Sequence, residues 1–373
     1  MPSPEVYIEE AAPLSPRIAQ VPTGIAAFVG ALPQGPIAQP AICRSQIEFE
    51  ALFGACDTAF PTSLQVRQFF TNGGFEARVC RTAPGAAIAD VAATAALVDG
   101  FDVLCAPDLA AMAAQAHADT VGALLALVQQ RRAFLVLDPP ADARDQAGII
   151  AWRRGGIAAL GDGISHAAVY FPRVLVAAPQ GGNIALGPCG TLAGIYARID
   201  RDRGVWKAPA DTLQGVTGLE LMIGTAAQEV LNPLGINSLR SFSGRGLQVG
   251  GARTLLSSAS TAPSGKYVSV RRLALMIERS LVAGLQWAAF EPNGAPLWAR
   301  LRLAVESFMR SLWQDGALQG AKPELAFLCR CGLDTTMQAE LDQGLVQLEV
   351  GYAALKPGEF ELIRLTLRTA GGL

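Results

Sequence analysis

The sequence predicts an α/β domain with a largely parallel central sheet over residues 21–261, followed by a smaller α+β domain over residues 262–373. Three observations predict this. Up to about residue 261, short apolar runs alternate with amphipathic segments at helical spacing, the order expected when helices cross between parallel strands. From about residue 262 the texture changes to long amphipathic helices followed by strands, the order of an α+β layer. Both ends of the chain read as lone extended strands.

The elements follow in chain order. Residues 4–10 (PEVYIEE) are extended, with Val6, Tyr7, Ile8 and Glu9 at their centre, and Pro13, Pro16 and Pro22 separate them from the next apolar segment. Residues 1–20 therefore form an arm able to reach away from their own domain. Residues 21–30 are a turn leading into a buried strand, and residues 47–53 a short helix. Residues 62–70 form an amphipathic helix with Leu64, Val66, Phe69 and Phe70 inward, stopped by Asn72-Gly73-Gly74, residue types that tolerate positive φ. Strands are predicted at 77–80, 101–106, 132–137, 167–170 and 174–177, with a helix at 120–130. The alanine enrichment over 86–126 suits helices with a small, tightly packed face.

Beyond residue 262, Leu273, Met276, Ile277, Ser280, Leu281 and Gly284 make one helical stripe. In the next helix Trp298, Leu301, Val305, Phe308 and Leu312 make another, opposed by Arg300, Ser307, Arg310 and Gln314. Strands follow at 325–331 and 345–352. The C-terminal arm, residues 359–369, puts Ile363, Leu365 and Leu367 on one face and Arg364, Thr366 and Arg368 on the other, the period of a half-buried strand. No partner lies at two-residue hairpin spacing, so both terminal strands are expected to join the sheet of another copy.

Composition narrows the function. The 373 residues are 51% hydrophobic, ample for a core, while only 17% are charged and the net charge is -2. That balance lacks the basic footprint of a phosphate-backbone binder, so nucleic acid is excluded as a partner. Too little charge to cover a monomer points instead to extensive protein contact. The start, Met1 to Glu5, shows no secretory pattern, and the uninterrupted apolar runs, such as residues 121–128, are short of the ~20 residues of a bilayer span. Assembly in the cytoplasm without direct membrane insertion is the expectation. Seven scattered cysteines argue for buried thiols in a reducing compartment.

Catalytic chemistry is sparse. The two histidines, His117 in alanine-rich sequence and expected at the surface, and His166 in a predicted turn, leave little for acid and base work. Cys329-Arg330-Cys331 is a close thiol pair without further ligands for a metal. Gly155-Gly156 and Gly161-Asp162-Gly163 lack the spacing of phosphate loops, and no Gly-x-Ser-x-Gly elbow is present. No cofactor or metal is predicted, and a cytosolic α/β enzyme is the less favoured reading.

LGPCGTLAGIYARID at 186–200, followed by RGVWKAP at 203–209, resembles the tail sheath proteins of contractile phages and phage-tail-like injection systems. Further blocks agree in order: PTGIAAFVG at 22–30, VRQFFTNGG at 66–74, LNPLGIN at 231–237, GRG at 244–246, GARTL at 251–255, KYV at 266–268, VRRL at 270–273, FEPN at 290–293 and GALQG at 316–320. The chain departs from the pattern at Thr191, Gly250 and Gly294. The resemblance implies a structural sheath subunit, not an enzyme, that polymerises helically in six-fold rings around an inner tube protein and contracts to drive the tube through a target envelope. It implies an outer domain related in part to subtilisin-like folds, and an inner domain completed by the two terminal arms. Val6, Tyr7, Ile8, Glu9, Ile363, Arg364, Leu365, Thr366 and Leu367 would then be inter-subunit links. Arg300 and Arg310 are candidates to face the tube, with a solvated helix face or a subunit interface as the other readings. Baseplate and terminal cap proteins and sheath paralogues are the other implied partners, in a contractile particle retained in or released from the cell. A minor paralogue or adaptor at the baseplate or cap end is the alternative.

Overall fold

The computed structural model describes residues 17–83, 88–256 and 264–370. Contacts divide the chain into a larger unit, Val21–Ile277, and a smaller one that joins the chain up to Gln20 with Glu278–Leu373. The later division falls within the helix Val268–Gly284, beyond the change of texture at residue 262.

In the larger unit the strands are β1 (Ala26–Gly30), β2 (Ala41–Cys43), β3 (Ala77–Arg81), β4 (Val103–Cys105), β5 (Phe134–Leu137), β6 (Ala167–Phe171), β7 (Val174–Ala177), β8 (Asn183–Leu186), β9 (Gly218–Leu219), β10 (Ile236–Phe242) and β11 (Gly246–Val249). Eight of them form one sheet in the order β11-β10-β6-β5-β4-β1-β3-β2. From β10 to β3 all neighbours are parallel, and the outer strands β2 and β11 are antiparallel to theirs. The runs AAFVG, FLVL and AAVYF are buried at every position, as a parallel sheet covered on both faces requires. Alternation sends Phe28 into a core with Phe49, Leu64, Phe69 and Tyr196, and sends Ala27 and Val29 into a second core with Val121, Leu124 and Ile149. The strands β8, β7 and β9 form a small antiparallel sheet.

The helices Pro61–Thr71 and Cys189–Arg203 pack closely on the first core face. Gly190 and Gly194, one helical turn apart, permit this approach. A Cβ on Gly190 would lie 2.2 Å from the backbone oxygen of Gln65, and one on Gly194 would lie 2.4 Å from that of Phe69. The glycines of the 186–200 run are therefore set by helix contact rather than by a ligand loop.

Parallel strands that reverse direction of winding leave a crevice at their carboxyl ends, where ligands of α/β proteins bind. Here β3 lies on one side of β1 and β4 on the other. The chain fills that crevice itself: the half-buried carboxylate of Asp108 accepts from Ala31 N (2.6 Å) and from Thr62 Oγ1 (3.0 Å).

In the smaller unit the helix Ala295–Gln314 lies against a three-stranded antiparallel sheet of β12 (Phe327–Cys331), β13 (Leu345–Tyr352) and β14 (Glu361–Arg368), in the order β12-β13-β14. The predicted stripe is the buried one, with Leu297, Leu301, Val305, Phe308 and Leu312 inward. By length and composition Val268–Phe290 is apolar enough to cross a bilayer, although charged residues interrupt its apolar runs. Half of it is buried in the fold, and it carries charged residues such as Arg272, as a core helix does.

Replacing Gly190 with Ala should lower unfolding stability by about 1–3 kcal/mol through overpacking, measured by chemical denaturation. Gly224, whose added Cβ meets nothing within 4 Å, should tolerate Ala with a change within about 0.5 kcal/mol.

Candidate assembly surfaces

The C-terminal strand is a fully paired member of its own sheet. β14 runs antiparallel to β13 from Leu345↔Arg368 to Tyr352↔Glu361. The sequence expectation that it lacks a partner in its own chain is therefore corrected. The connection, residues 353–360 with Pro357-Gly358, is longer than the hairpin spacing searched for. The alternation stands as read: Ile363 and Leu365 are buried, Leu367 is half-buried, and Arg364, Thr366 and Arg368 are exposed. Side chains hold the register, because Arg364 Nε donates to Glu349 Oε1 (2.7 Å) and Thr366 Oγ1 to Gln347 Oε1 (2.8 Å) directly across the pair. Among the described residues no strand pairs with the far edge of β14 or of β12.

Val6, Tyr7, Ile8 and Glu9 lie outside the described residues. Within the described residues Ile18 is buried against Gly284, where an added Cβ would come within 2.9 Å of its side chain. The arm is thus anchored at its root.

Arg300 and Arg310 differ. Arg300 is spoken for within the unit: it pairs with Glu291 (3.0 Å) and its guanidinium lies 4.6 Å from the centre of the Trp287 ring. Arg310 is exposed on the polar face of its helix, which leaves it the more available of the two for a partner.

The ionisable groups of the larger unit serve its interior. Arg272 is buried between two carboxylates, with Nη2 2.9 Å from Asp102 Oδ2 and 2.6 Å from Asp200 Oδ2, while Nη1 reaches Asp200 Oδ1 at 2.9 Å. Its guanidinium also stacks 4.6 Å from the centre of the Tyr196 ring. Asp102 accepts in addition from Ile25 N (2.7 Å). Burial raises the Asp200 carboxyl above its usual range, with Arg272 acting against the rise. Sequence reading missed this trio: Asp102 shows as an acid between apolar neighbours, Phe101 and Val103, but Asp200 is one charge in the run RIDRDR at 198–203 and carries no such signal.

His117, expected at the surface, is fully buried. Its Nε2 donates to the Asp138 carbonyl oxygen (3.1 Å) and its Nδ1 accepts from Trp152 Nε1 (3.5 Å), so the ring is neutral, and burial lowers its pKa. The spacing to Val121, Leu124 and Val128 places it on the inward stripe of the helix Ala114–Arg131. His166 ends a 3-10 segment before β6, and burial lowers it to about 4. Ser165 Oγ lies 3.3 Å from His166 Nδ1, a contact between sequence neighbours. Burial pushes the Cys329 and Cys331 thiols up to about 12, and no metal-ligating cluster occurs among the described residues.

Asp138 has a structural task. Its Oδ1 accepts from Cys189 N (2.9 Å), at the start of the helix Cys189–Arg203, and its Oδ2 accepts from Gln65 Nε2 (3.2 Å). Gln65 in turn accepts from Gly190 N through Oε1 (2.7 Å). The carboxylate caps a helix whose preceding residue, Pro188, supplies no side-chain cap. Burial pushes its pKa up to about 6 against the lowering effect of these donors.

Comparison with known proteins places these features. Residues 82–255 match the family model of the phage tail sheath protein central domain, and residues 260–368 that of the phage tail sheath C-terminal domain. The tail sheath protein of Burkholderia phage BcepMu is 36% identical over 137 residues, which are 35% of this chain and span only 28% of that protein's length. A chain of the contracted helical sheath of the anti-feeding prophage matches at TM-score 0.76 and 31% identity, covering 98% of this chain and 99% of that one. A chain in the six-fold symmetrised baseplate of the same system also gives 0.76 and 31%, over 99% and 100%. A chain of the contracted sheath complex of the extracellular contractile injection system PVC gives 0.76 and 29%, over 98% and 97%.

The raised pKa of Asp138 fixes a sign. The folded state holds the proton more tightly than the unfolded chain, so this group's contribution to stability is fully present below about pH 4 and is lost as pH rises through and past about 6. Relative to Asp138→Asn, the wild type should lose on the order of 3 kcal/mol across that interval. Denaturation curves at successive pH values check it, and parallel curves for the two proteins would contradict it.

Proposed function

The chain belongs to the phage tail sheath family, and from that premise we propose that it is a sheath subunit, which polymerises helically around an inner tube and contracts to drive the tube through a target envelope. The observation that carries the reading is the likeness, over nearly the whole chain, to subunits of a contracted sheath. The reading assigns a structural role with no catalytic step. It takes the smaller unit as the tube-facing one, and the larger unit, whose parallel sheet is related in architecture to subtilisin-like folds, as the outer one. Rings of six copies, an inner tube protein, baseplate and cap proteins complete the particle, which is assembled in the cytoplasm and is phage-like or released.

The three departures from the family pattern fit their own surroundings, which favours the main subunit over a minor paralogue. Thr191 is buried and its Oγ1 lies 3.4 Å from Gln68 Oε1. Gly250 N donates to Ser238 O (2.7 Å), and a Cβ there would come within 2.9 Å of that oxygen. Gly294 is extended, with φ 170, a conformation open to any residue.

Strands link the copies in this reading. Val6 to Glu9 of one copy add to an open edge of the β12-β13-β14 sheet in another, satisfying backbone groups that the edge leaves bare. The strand holding Ile363, Arg364, Leu365, Thr366 and Leu367 exchanges between copies, because a swapped β14 makes the same pairs with β13 that it makes at home. An arm with ~4 hydrogen bonds at ~1 kcal/mol and three buried aliphatic side chains at ~1.5–3 kcal/mol each gains roughly 9–13 kcal/mol. Ordering its backbone costs ~1–2 kcal/mol per residue, a similar amount. A single link is marginal and a mesh of them is not, so links persist while interfaces between rigid surfaces repack on contraction.

Deleting residues 1–12 should leave folded monomers that form no sheath, whereas removal of residues 360–373 would also strip β14 from its own sheet and test folding instead. Sheaths of normal length from the shorter deletion, seen by negative-stain microscopy, would contradict the linkage. Arg310→Glu should reduce co-sedimentation with the tube protein by about tenfold while leaving self-assembly intact, the loss of a close charged contact being worth roughly 1–2 kcal/mol.

A further inference from the structure

Past the carboxyl ends of β4 and β5 the larger unit opens into a cavity of about 380 Å³. The helix Ala114–Arg131 forms one wall through Ala114 and Ala118, and the helix Gln146–Arg154 forms another through Ala151 and Trp152. The lining is small and apolar except at two places. Trp152 supplies an aromatic surface. Asp142 supplies the one charged side chain of the lining.

Both are prepared for a ligand. The indole is fixed from behind by a buried chain of hydrogen bonds, Trp152 Nε1 to His117 Nδ1 and His117 Nε2 to the Asp138 carbonyl, with the His117 ring edge-on at 5.7 Å. Asp142 is exposed and has no ion-pair partner among the described residues. The start of the helix Gln146–Arg154 attracts no anion, because Asp145 caps it by accepting from Gly148 N (2.7 Å). Arg144 and Arg154 are exposed close by in the chain, so the preference for a cation with an apolar stem rests on Asp142 and the indole of the lining itself. An aromatic face beside a carboxylate is the chemistry that recognises guanidinium and alkylammonium groups.

We propose that this cavity receives the guanidinium of an arginine from a second copy of this chain, an occupant that rests on the sheath reading above. The larger unit exposes several arginines, among them Arg203 and Arg245, which lie far along the chain from the cavity's own segments, the latter at the tip of the β10–β11 hairpin. A pocket on one copy filled by a protruding side chain of the next is a heterologous contact, the kind that propagates a helix.

Binding is measured first on the unassembled chain by ligand-observed NMR, with butylguanidinium as the probe and butylurea as its neutral counterpart. Saturable binding of butylguanidinium in the millimolar range is expected, with Asp142→Asn and butylurea each weaker by about 3- to 10-fold. No saturable binding, equal binding of the two compounds, or unchanged affinity in Asp142→Asn overturns the pocket. Asp142→Arg, a surface change whose folding is checked by circular dichroism, is then expected to slow polymerisation at least about fivefold. Polymerisation at the wild-type rate overturns the second copy as occupant. A wild-type chain that forms no polymer overturns the sheath reading instead, and the titration with butylguanidinium still decides the pocket.

Discussion

The larger unit depends on the buried charge of Arg272. Its guanidinium ties together Asp102 at the entrance to β4, Asp200 near the end of the helix Cys189–Arg203, and its own helix, segments far apart in the chain. Through Asp102 the network also reaches the backbone of Ile25, just before β1. Two carboxylates against one guanidinium leave a net negative charge in the interior, which is costly unless donors surround it. Removing the arginine alone would strand both acids, whereas an apolar trio of similar volume could pack without that penalty. The arrangement therefore gives a specific register of helix against sheet rather than raw stability.

The residues that carry the family resemblance mostly face inward. Gly190 and Gly194 permit the close helix pair, Tyr196 stacks on Arg272 and bonds to Tyr170 through hydroxyls 2.6 Å apart, and Asp200 completes the ion network. A motif this dense in an assembling protein thus preserves a rigid body. The proposed assembly surfaces lie elsewhere, on sheet edges whose main-chain groups can pair with many sequences.

The parallel strands were legible because continuous apolar runs such as FLVL and AAVYF have few other uses. The helix Ala295–Gln314 was legible from its stripe. β7 was legible at 174–177, but its hairpin partner β8 and the hairpin β10–β11 were not, β8 and β11 being four-residue strands with mostly exposed or half-buried positions. The pairing of β14 with β13 was hidden by the length of the connection, although the alternation in both strands was plain. His117 was misplaced because its immediate neighbours are small or polar, while its period against Val121, Leu124 and Val128 pointed inward. Ion partners such as Arg272 and Asp102 were beyond reach, since nothing local joins residues so distant.

The central claim is that sheets in one copy are completed by strands from another. A helical reconstruction of the assembled polymer by electron cryo-microscopy tests it most directly. The account predicts that residues 4–10 run as an added strand along the β12-β13-β14 sheet of a different copy. Residues 4–10 paired within their own copy, or outside any sheet, would contradict it.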